Sequence, residues 1–273
     1  MATETAAPAV EGVVGEVNRL THGPVKGLGL SHPDHVDITA TGLAGDRRFF
    51  LVDAADTLLS ITRTGALTGL TAHTDGDDGD GERLTVTGDG AELSVPVELG
   101  DTVGANFYGH HVVPGRVVAG PWAGFFSDLV GQPVRLIRAD EPGSGCDLHP
   151  VTLLAEASAT ALAAAAGAEV DARRFRMSIG LDGPPAFAED GWSGAELEIG
   201  TAVLRVGGPV KRCAATIRHP ESGERDLPML RVLKQVRGVQ SSELGTGVNL
   251  GVYASVVRPG QVSVGDAARL TLP

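Results

Sequence analysis

Residues 252–272 read VYASVVRPGQVSVGDAARLTL. Two β-branched runs flank Pro259 and Gly260, the pattern of a strand, a tight turn and a second strand that closes a barrel. Upstream, Phe175 to Leu181, Ala195 to Ile199 and Ala202 to Val206 read as further short strands, and Val134 to Ala139 as another. Nearer the start, Val13 to Arg19, Val36 to Thr39, Phe49 to Asp53, Leu58 to Thr62, Arg83 to Thr87, Glu92 to Val97 and Val112 to Val118 are apolar runs bounded by Gly, Pro and Asp. Three segments break this texture. Pro121 to Val130 spaces Trp122, Phe125, Phe126 and Leu129 as a helix does, with Pro in its first turn and Gly131 after its end. Ala155 to Ala166 is an Ala-rich helix with one Glu, and Leu227 to Val236 is a third. Strand and helix do not alternate regularly, so the expected fold is mainly β with added helices (α+β), built on β-barrels. The change of texture sets a domain boundary near Gly120. Residues 1–11 are then a disordered tail, 12–120 an N-terminal β-barrel-like domain and 121–273 a second barrel domain.

The composition agrees with many turns and a modest core. Of 273 residues 42% are hydrophobic but only 4% aromatic, so the core must come from Val, Leu, Ala and Ile; 38 Gly and 16 Pro supply the turns. A net charge of −12 repels phosphate at long range, which argues against nucleic acid and anionic membranes as partners. No apolar run is long enough to span a bilayer. The start, MATETAAPAVEG, lacks the basic and apolar regions of a secretory signal, so a cytoplasmic protein is expected. Cys146 and Cys213 are too few for a disulfide framework, and no Cys/His set has zinc spacing. The loop HTDGDDGDGE, residues 73–82, lacks calcium-loop spacing and reads as a solvated hairpin tip. Dinucleotide, P-loop and nucleophile-elbow motifs are absent. Glu189 and Asp190 are adjacent and should point apart, which opposes a paired acid/base role.

Chemistry is concentrated elsewhere. Cys213 lies in GGPVKRCAATIRHPESGE, residues 207–224, directly after Lys211 and Arg212. Two readings stay open from the residues alone: a buried cysteine acting as a small hydrophobe, or a thiolate favoured by its cationic neighbours and suited to metals. Lys26 in THGPVKGLGL, Arg47 in GLAGDRRFFLVD, and Arg173, Arg174 and Arg176 in DARRFRMSI are cations in loops beside strands. Taken singly each reads as an ordinary surface charge; converging on one pocket they would hold a phosphate. His149, opening HPVTLL, reads equally as a site residue or a turn residue.

These segments, in this order, resemble the MOSC-domain proteins of the branch with an N-terminal β-barrel domain. That branch includes the mitochondrial amidoxime-reducing component and its bacterial relatives. The resemblance runs from about Gly12 to Leu272 and rests on PVKGLGL, GLAGDRRFFLVD, HPVTLLAEAS, RRFRMSI, the AEDGW and LEIG pair, VKRCAATIRHPESGERD and LGVYASVVRPGQVSVGD. It implies a molybdopterin-type molybdenum cofactor in a pocket between two β domains, with Cys213 as the metal ligand. It maps cofactor contacts onto Lys26, Gly27, Arg47, His149, Arg176, Ser178, Lys211 and Arg212. It implies reduction of N-hydroxylated compounds of the amidoxime or hydroxamate type. Asp147 and His149 are the candidate proton donors. Two other functions are compatible with the family: a sulfur carrier using a Cys213 persulfide, and a cofactor carrier without turnover. The chain departs from the family's Phe-Arg-Pro-Asn at Met177 and Ser178, has Gly27 where a small hydroxyl residue is common, and has Ala215 where a Thr-Thr pair is common. No Cys-rich ferredoxin segment is present, so no iron–sulfur cluster is expected in this chain. Electrons are expected from a separate flavin or iron–sulfur protein, and no membrane anchor is expected.

Overall fold

The computed structural model describes residues 11–75, 81–88 and 90–273. The expected tail lies outside these except for Glu11, whose carboxylate accepts the Leu272 amide at 3.2 Å. The tip of the 73–82 loop also lies outside them, but its flanks, Thr71–Asp75 and Arg83–Gly88, pair antiparallel. The chain is mostly short strands with three α-helices, Trp122–Val130, Glu156–Ala166 and Met229–Arg237, as the α+β reading expects.

At its centre is a closed seven-stranded barrel. Its order is Gly12–Leu20, Ile179–Asp182, Val151–Ala155, Asn249–Arg258, Ala202–Lys211, Glu196–Ile199 and Ala267–Thr271, which pairs back onto Gly12–Leu20. Six of the seven neighbouring pairs are antiparallel; Val151–Ala155 and Ile179–Asp182 run parallel. Parallel neighbours need a crossover, and the Ala-rich helix Glu156–Ala166 supplies it. Val17, Leu153, Leu181, Leu197, Leu204 and Leu270 are among the barrel's buried residues. The 252–272 stretch closes the barrel by a different route from the expected hairpin. After Pro259, Gly260–Ser263 leaves to pair with His35–Thr39, and only Ala267–Thr271 returns to meet the first strand.

A second, five-stranded sheet has the order Leu58–Leu59, Phe49–Asp53, Val134–Ala139, His111–Val118 and Leu99–Phe107. The helix Trp122–Val130 joins two of its strands and ends at Gly131 in the left-handed conformation, the cap that glycine makes easily. Trp122 and Phe126 are fully buried with Phe49, Leu51 and Leu136. Burial of each aromatic stabilises by roughly 2–3 kcal/mol.

Strand pairing crosses the expected boundary near Gly120 in both directions. Gly12–Leu20 is a barrel strand between Ile179–Asp182 and Ala267–Thr271, and Val134–Ala139 is an inner strand of the other sheet. A change of local texture marks where a helix begins; it does not record which distant strand a segment will pair with. Two local differences also matter. Leu99–Phe107 is a strand that Gly100 and Gly104 conceal in the sequence, although Val103, Ala105 and Phe107 alternate inward. The expected strand from Phe175 begins only at Ile179; Ala172–Phe175 is a short 3-10 turn, capped by the Asp171 carboxylate and ended by Arg176 in the left-handed region at φ 54°.

Candidate functional site

A cleft opens where the barrel rim meets the N-terminal loops. Lys26, Gly27, Arg47, Asp147, His149, Arg176, Ser178, Lys211, Arg212 and Cys213, the ten residues that the family resemblance maps to the site, line it, whereas the candidate cations Arg173 and Arg174 do not: Arg173 pairs with Asp171 and Glu221, and Arg174 with Asp226. They come from five separated stretches of chain, so nothing local in the sequence brings them together.

The N-terminal wall is pinned by ion pairs and backbone contacts. Lys26 is 7% exposed; its Nζ donates to Gly145 O and pairs with Asp147, both at 2.8 Å, over the Phe107 ring. Arg47 has a left-handed φ of 50°, pairs with Asp46 and donates to Arg176 O at 3.1 Å. The 143–147 loop presses on it so closely that a Cβ at Gly145 would lie 2.0 Å from Arg47 O. Burial acts to lower the Arg47 pKa, but Asp46, Cys146 and Asp147 outweigh it and hold the guanidinium above its ordinary value. Gly27 has φ 96°, a conformation that suits glycine, in the turn after Lys26.

The barrel wall is held differently. Arg176 donates to Leu28 O at 2.7 Å. Arg212 donates to Phe175 O and to Met177 Sδ, and its guanidinium lies over the Phe175 ring. Neither arginine makes an ion pair among the described residues, and Arg212 Nε is buried without any hydrogen-bond partner. Burial, then repulsion from Arg47, pulls Arg176 down to about 10; burial also lowers Arg212. Both guanidiniums stay charged at neutral pH, and an arriving anion would offset what their burial costs.

Cys213 is exposed at the end of its strand, with its carbonyl accepting from the Thr216 amide and hydroxyl, so the buried-hydrophobe reading does not describe it. Lys211 turns away to donate to Leu244 O at 2.9 Å, leaving Arg212 as the neighbouring charge that faces inward. Ser178 is 1% exposed, and its hydroxyl and amide are engaged with Thr152 across the parallel strand pair. Asp147, half-exposed at the mouth, pays for desolvation yet is held below its ordinary value by Lys26, Arg47 and Arg212. His149 Nε2 meets both Glu243 oxygens at 3.0 and 3.2 Å, and its ring sits 5.2 Å from that of Tyr253.

Sequence reasoning passed over several neighbours. Cys146 lines the cleft but is buried, and burial pushes its thiol up. Ser60, Tyr108, Thr152 and Tyr253 also line it, and Glu243 braces His149. The positive φ of 57° at Tyr108 is invisible in sequence; only the following Gly109 hints at a turn.

Residues 140–269 match the sequence model of the MOSC domain. This stretch of the chain is a MOSC domain. Its barrel wall, with Cys146, His149, Arg176 and Cys213, falls inside the matched residues, whereas Lys26, Arg47, Ser60 and Tyr108 come from outside them. The chain is 34% identical over 125 residues to "Mitochondrial amidoxime reducing component 2" of Bos taurus, covering 44% of this chain and 36% of that one. It is 29% identical over 231 residues to "Molybdenum cofactor sulfurase" of Caenorhabditis elegans, covering 81% of this chain and 32% of that one. The matches thus span only about a third of either relative's own length. Among solved structures, the YUAD protein of Bacillus subtilis aligns over 94% of both chains at 13% identity, with a TM-score of 0.45. No helix among the described residues is long and apolar enough to cross a membrane.

Proposed function

We propose that this chain binds a molybdopterin-type molybdenum cofactor in the cleft and reduces N-hydroxylated compounds with electrons from a separate redox protein. The observation that carries this reading is the convergence of exposed Cys213 with Lys26, Arg47 and Arg176 on one cleft. The donor set fits the group. Arg176 and Arg212 offer guanidinium forks to a phosphate and a polar ring edge, and the orphaned Arg212 Nε is a donor awaiting an acceptor. No group of three or more His, Cys, Asp or Glu among the described residues could hold a metal. A metal at Cys213 therefore has to arrive with most of its ligands, as one carried by a pterin dithiolene does.

When bound, the cofactor supplies the two electrons that convert an N–OH group and two protons into N–H and water. Cys213 Sγ would ligate the metal. Lys26 and Arg47, fixed by their partners, would set the cofactor's orientation, while Arg176 and Arg212 would meet its charge. Lys211 and Ser178 act as walls, and Gly27 keeps the Lys26 loop close to the cleft. Asp147 and His149 stand at the mouth, where protons must enter; Glu243 holds the His149 ring in place.

Protein purified from a host that makes the cofactor should contain molybdenum and pterin in near-equal amounts and reduce an aryl amidoxime with a chemical electron donor. Cys213→Ser should lose the metal and lower reduction by more than about 100-fold. Undiminished reduction by that variant would sink the ligand role. Sulfur carriage on a Cys213 persulfide is a second reading, favoured by the thiol's exposure and by likeness to the sulfurase over 81% of the chain. Cyanide-releasable sulfur without molybdenum would select it. Cofactor bound without any turnover would select a carrier role.

A further inference from the structure

Tyr108 stands in the turn between the strands Leu99–Phe107 and His111–Val118. Tyr108 and Gly109 both have positive φ, 57° and 77°, and the His110 amide donates to Phe107 O at 3.0 Å. That is the pattern of a type I′ turn, whose first central position favours Asn, Asp or Gly. A tyrosine there is a poor choice for the turn itself. The side chain does not compensate by burying itself, since the residue is 45% exposed. Instead its hydroxyl donates to Ser60 Oγ at 2.8 Å, fixing the ring beside the loop that forms the N-terminal wall. Ser60 is itself 4% exposed and bonded to the Thr62 hydroxyl, so the anchor is firm. The fixed ring lines the same cleft as Cys213, and Phe175 and Tyr253 stand among the residues of the barrel wall.

The geometry points to Tyr108 as the residue that sets substrate choice at the mouth of the cleft, selecting N-hydroxylated compounds that carry a flat aromatic group. This rests on the proposed reductase reading. A flat ring can stack on the tethered tyrosine on its way into the cleft, whereas a bulky three-dimensional group cannot stack on it and is disfavoured. An unfavourable turn conformation is retained because the ring's position serves the site and not the hairpin.

Tyr108→Asn tests this directly, because it improves the turn while removing the ring. The first arm uses the full chain prepared without cofactor. Alkylation of Cys213, located by peptide mapping, is timed with small iodoacetamide and with a bulky dye maleimide. The variant should react at least about fivefold faster with the maleimide and less than about twofold faster with iodoacetamide, while its Tm is unchanged or higher. Tyr108→Phe, which loses only the tether, should fall between. The second arm uses the cofactor-loaded protein. The ratio of kcat/KM for an aryl amidoxime to that for a branched aliphatic hydroxamic acid should drop about fivefold through KM, with kcat and molybdenum content maintained. Unchanged maleimide rates together with an unchanged substrate ratio would overturn the inference. If wild-type protein reduces neither substrate, the reductase reading fails and the alkylation arm alone decides whether Tyr108 gates the thiol.

Discussion

The cleft and the cluster around Arg237 both hold charged side chains away from water, yet they are built in opposite ways. Arg237 pairs with Asp190 at 2.5 Å, donates to Asn249 O and lies 4.5 Å from the Phe187 ring centroid. Beside it Glu189 is fully buried and accepts from the Ser158 hydroxyl. The Arg237 charge is met there by the opposite charge of Asp190, while Glu189 Oε2 is buried without a hydrogen-bond partner. In the cleft Arg176 and Arg212 lean on carbonyl oxygens and a thioether, with no carboxylate paired to either among the described residues. The first arrangement fixes the fold; the second leaves positive charge facing an opening. Burial of charge alone therefore does not mark a candidate site; burial without a matching countercharge, beside an opening, does.

The largest effect should come from breaking the paired cluster. Arg237→Leu leaves the mostly buried Asp190 carboxylate without its ion pair and should lower stability by about 3–5 kcal/mol in urea denaturation. Arg212→Leu removes a guanidinium that has no carboxylate partner among the described residues, and should change stability by no more than about 1 kcal/mol. Equal losses in the two variants would erase the distinction between closed and open clusters.

This contrast was only partly legible in the sequence. The ten cleft residues could be named because the ordered segments resemble a family, and the three helices could be placed from spacing and punctuation. Adjacency correctly separated Glu189 from Asp190, which do take different partners, Ser158 and Arg237. Their burial, and the 47-residue separation of Asp190 from its partner Arg237, could not be read from adjacency. The same limit hid the barrel's closure by its first and last strands, because pairing across 250 residues leaves no local periodic trace. Left-handed backbone at Arg47, Tyr108 and Arg176 was equally hidden: these residue types rarely adopt it, and tertiary contacts impose it.

A smaller effect should appear with pH. Burial, aided by the nearby Asp190, pushes the Glu189 carboxyl up to about 7 from its ordinary 4.5. Between those values the folded protein holds a proton that the unfolded chain has released. Stability contributed by this group is therefore full below the lower value and lost as pH rises through the upper one, by roughly 3 kcal/mol in all. Glu189→Gln should flatten that fall in denaturation midpoints measured from pH 4.5 to 8. An unaltered slope would mean that the cluster does not hold the extra proton.

The smallest effect concerns the open cluster, and it is read in binding. Inorganic pyrophosphate titrated into cofactor-free protein should bind in the cleft, and Arg176→Leu should weaken it about tenfold, or about 1.4 kcal/mol. Arg176→Lys should fall between, because it keeps the charge but loses the fork that can grip two oxygens together. Added salt should weaken binding to the wild type more than to Arg176→Leu, since fewer charges are screened in the variant. Glu189→Gln, altered only in the cluster around Arg237, should bind as the wild type does. If Arg176→Leu retains full affinity, the guanidinium is held by Leu28 O for the fold's sake alone, and the cleft's arginines belong with Arg237.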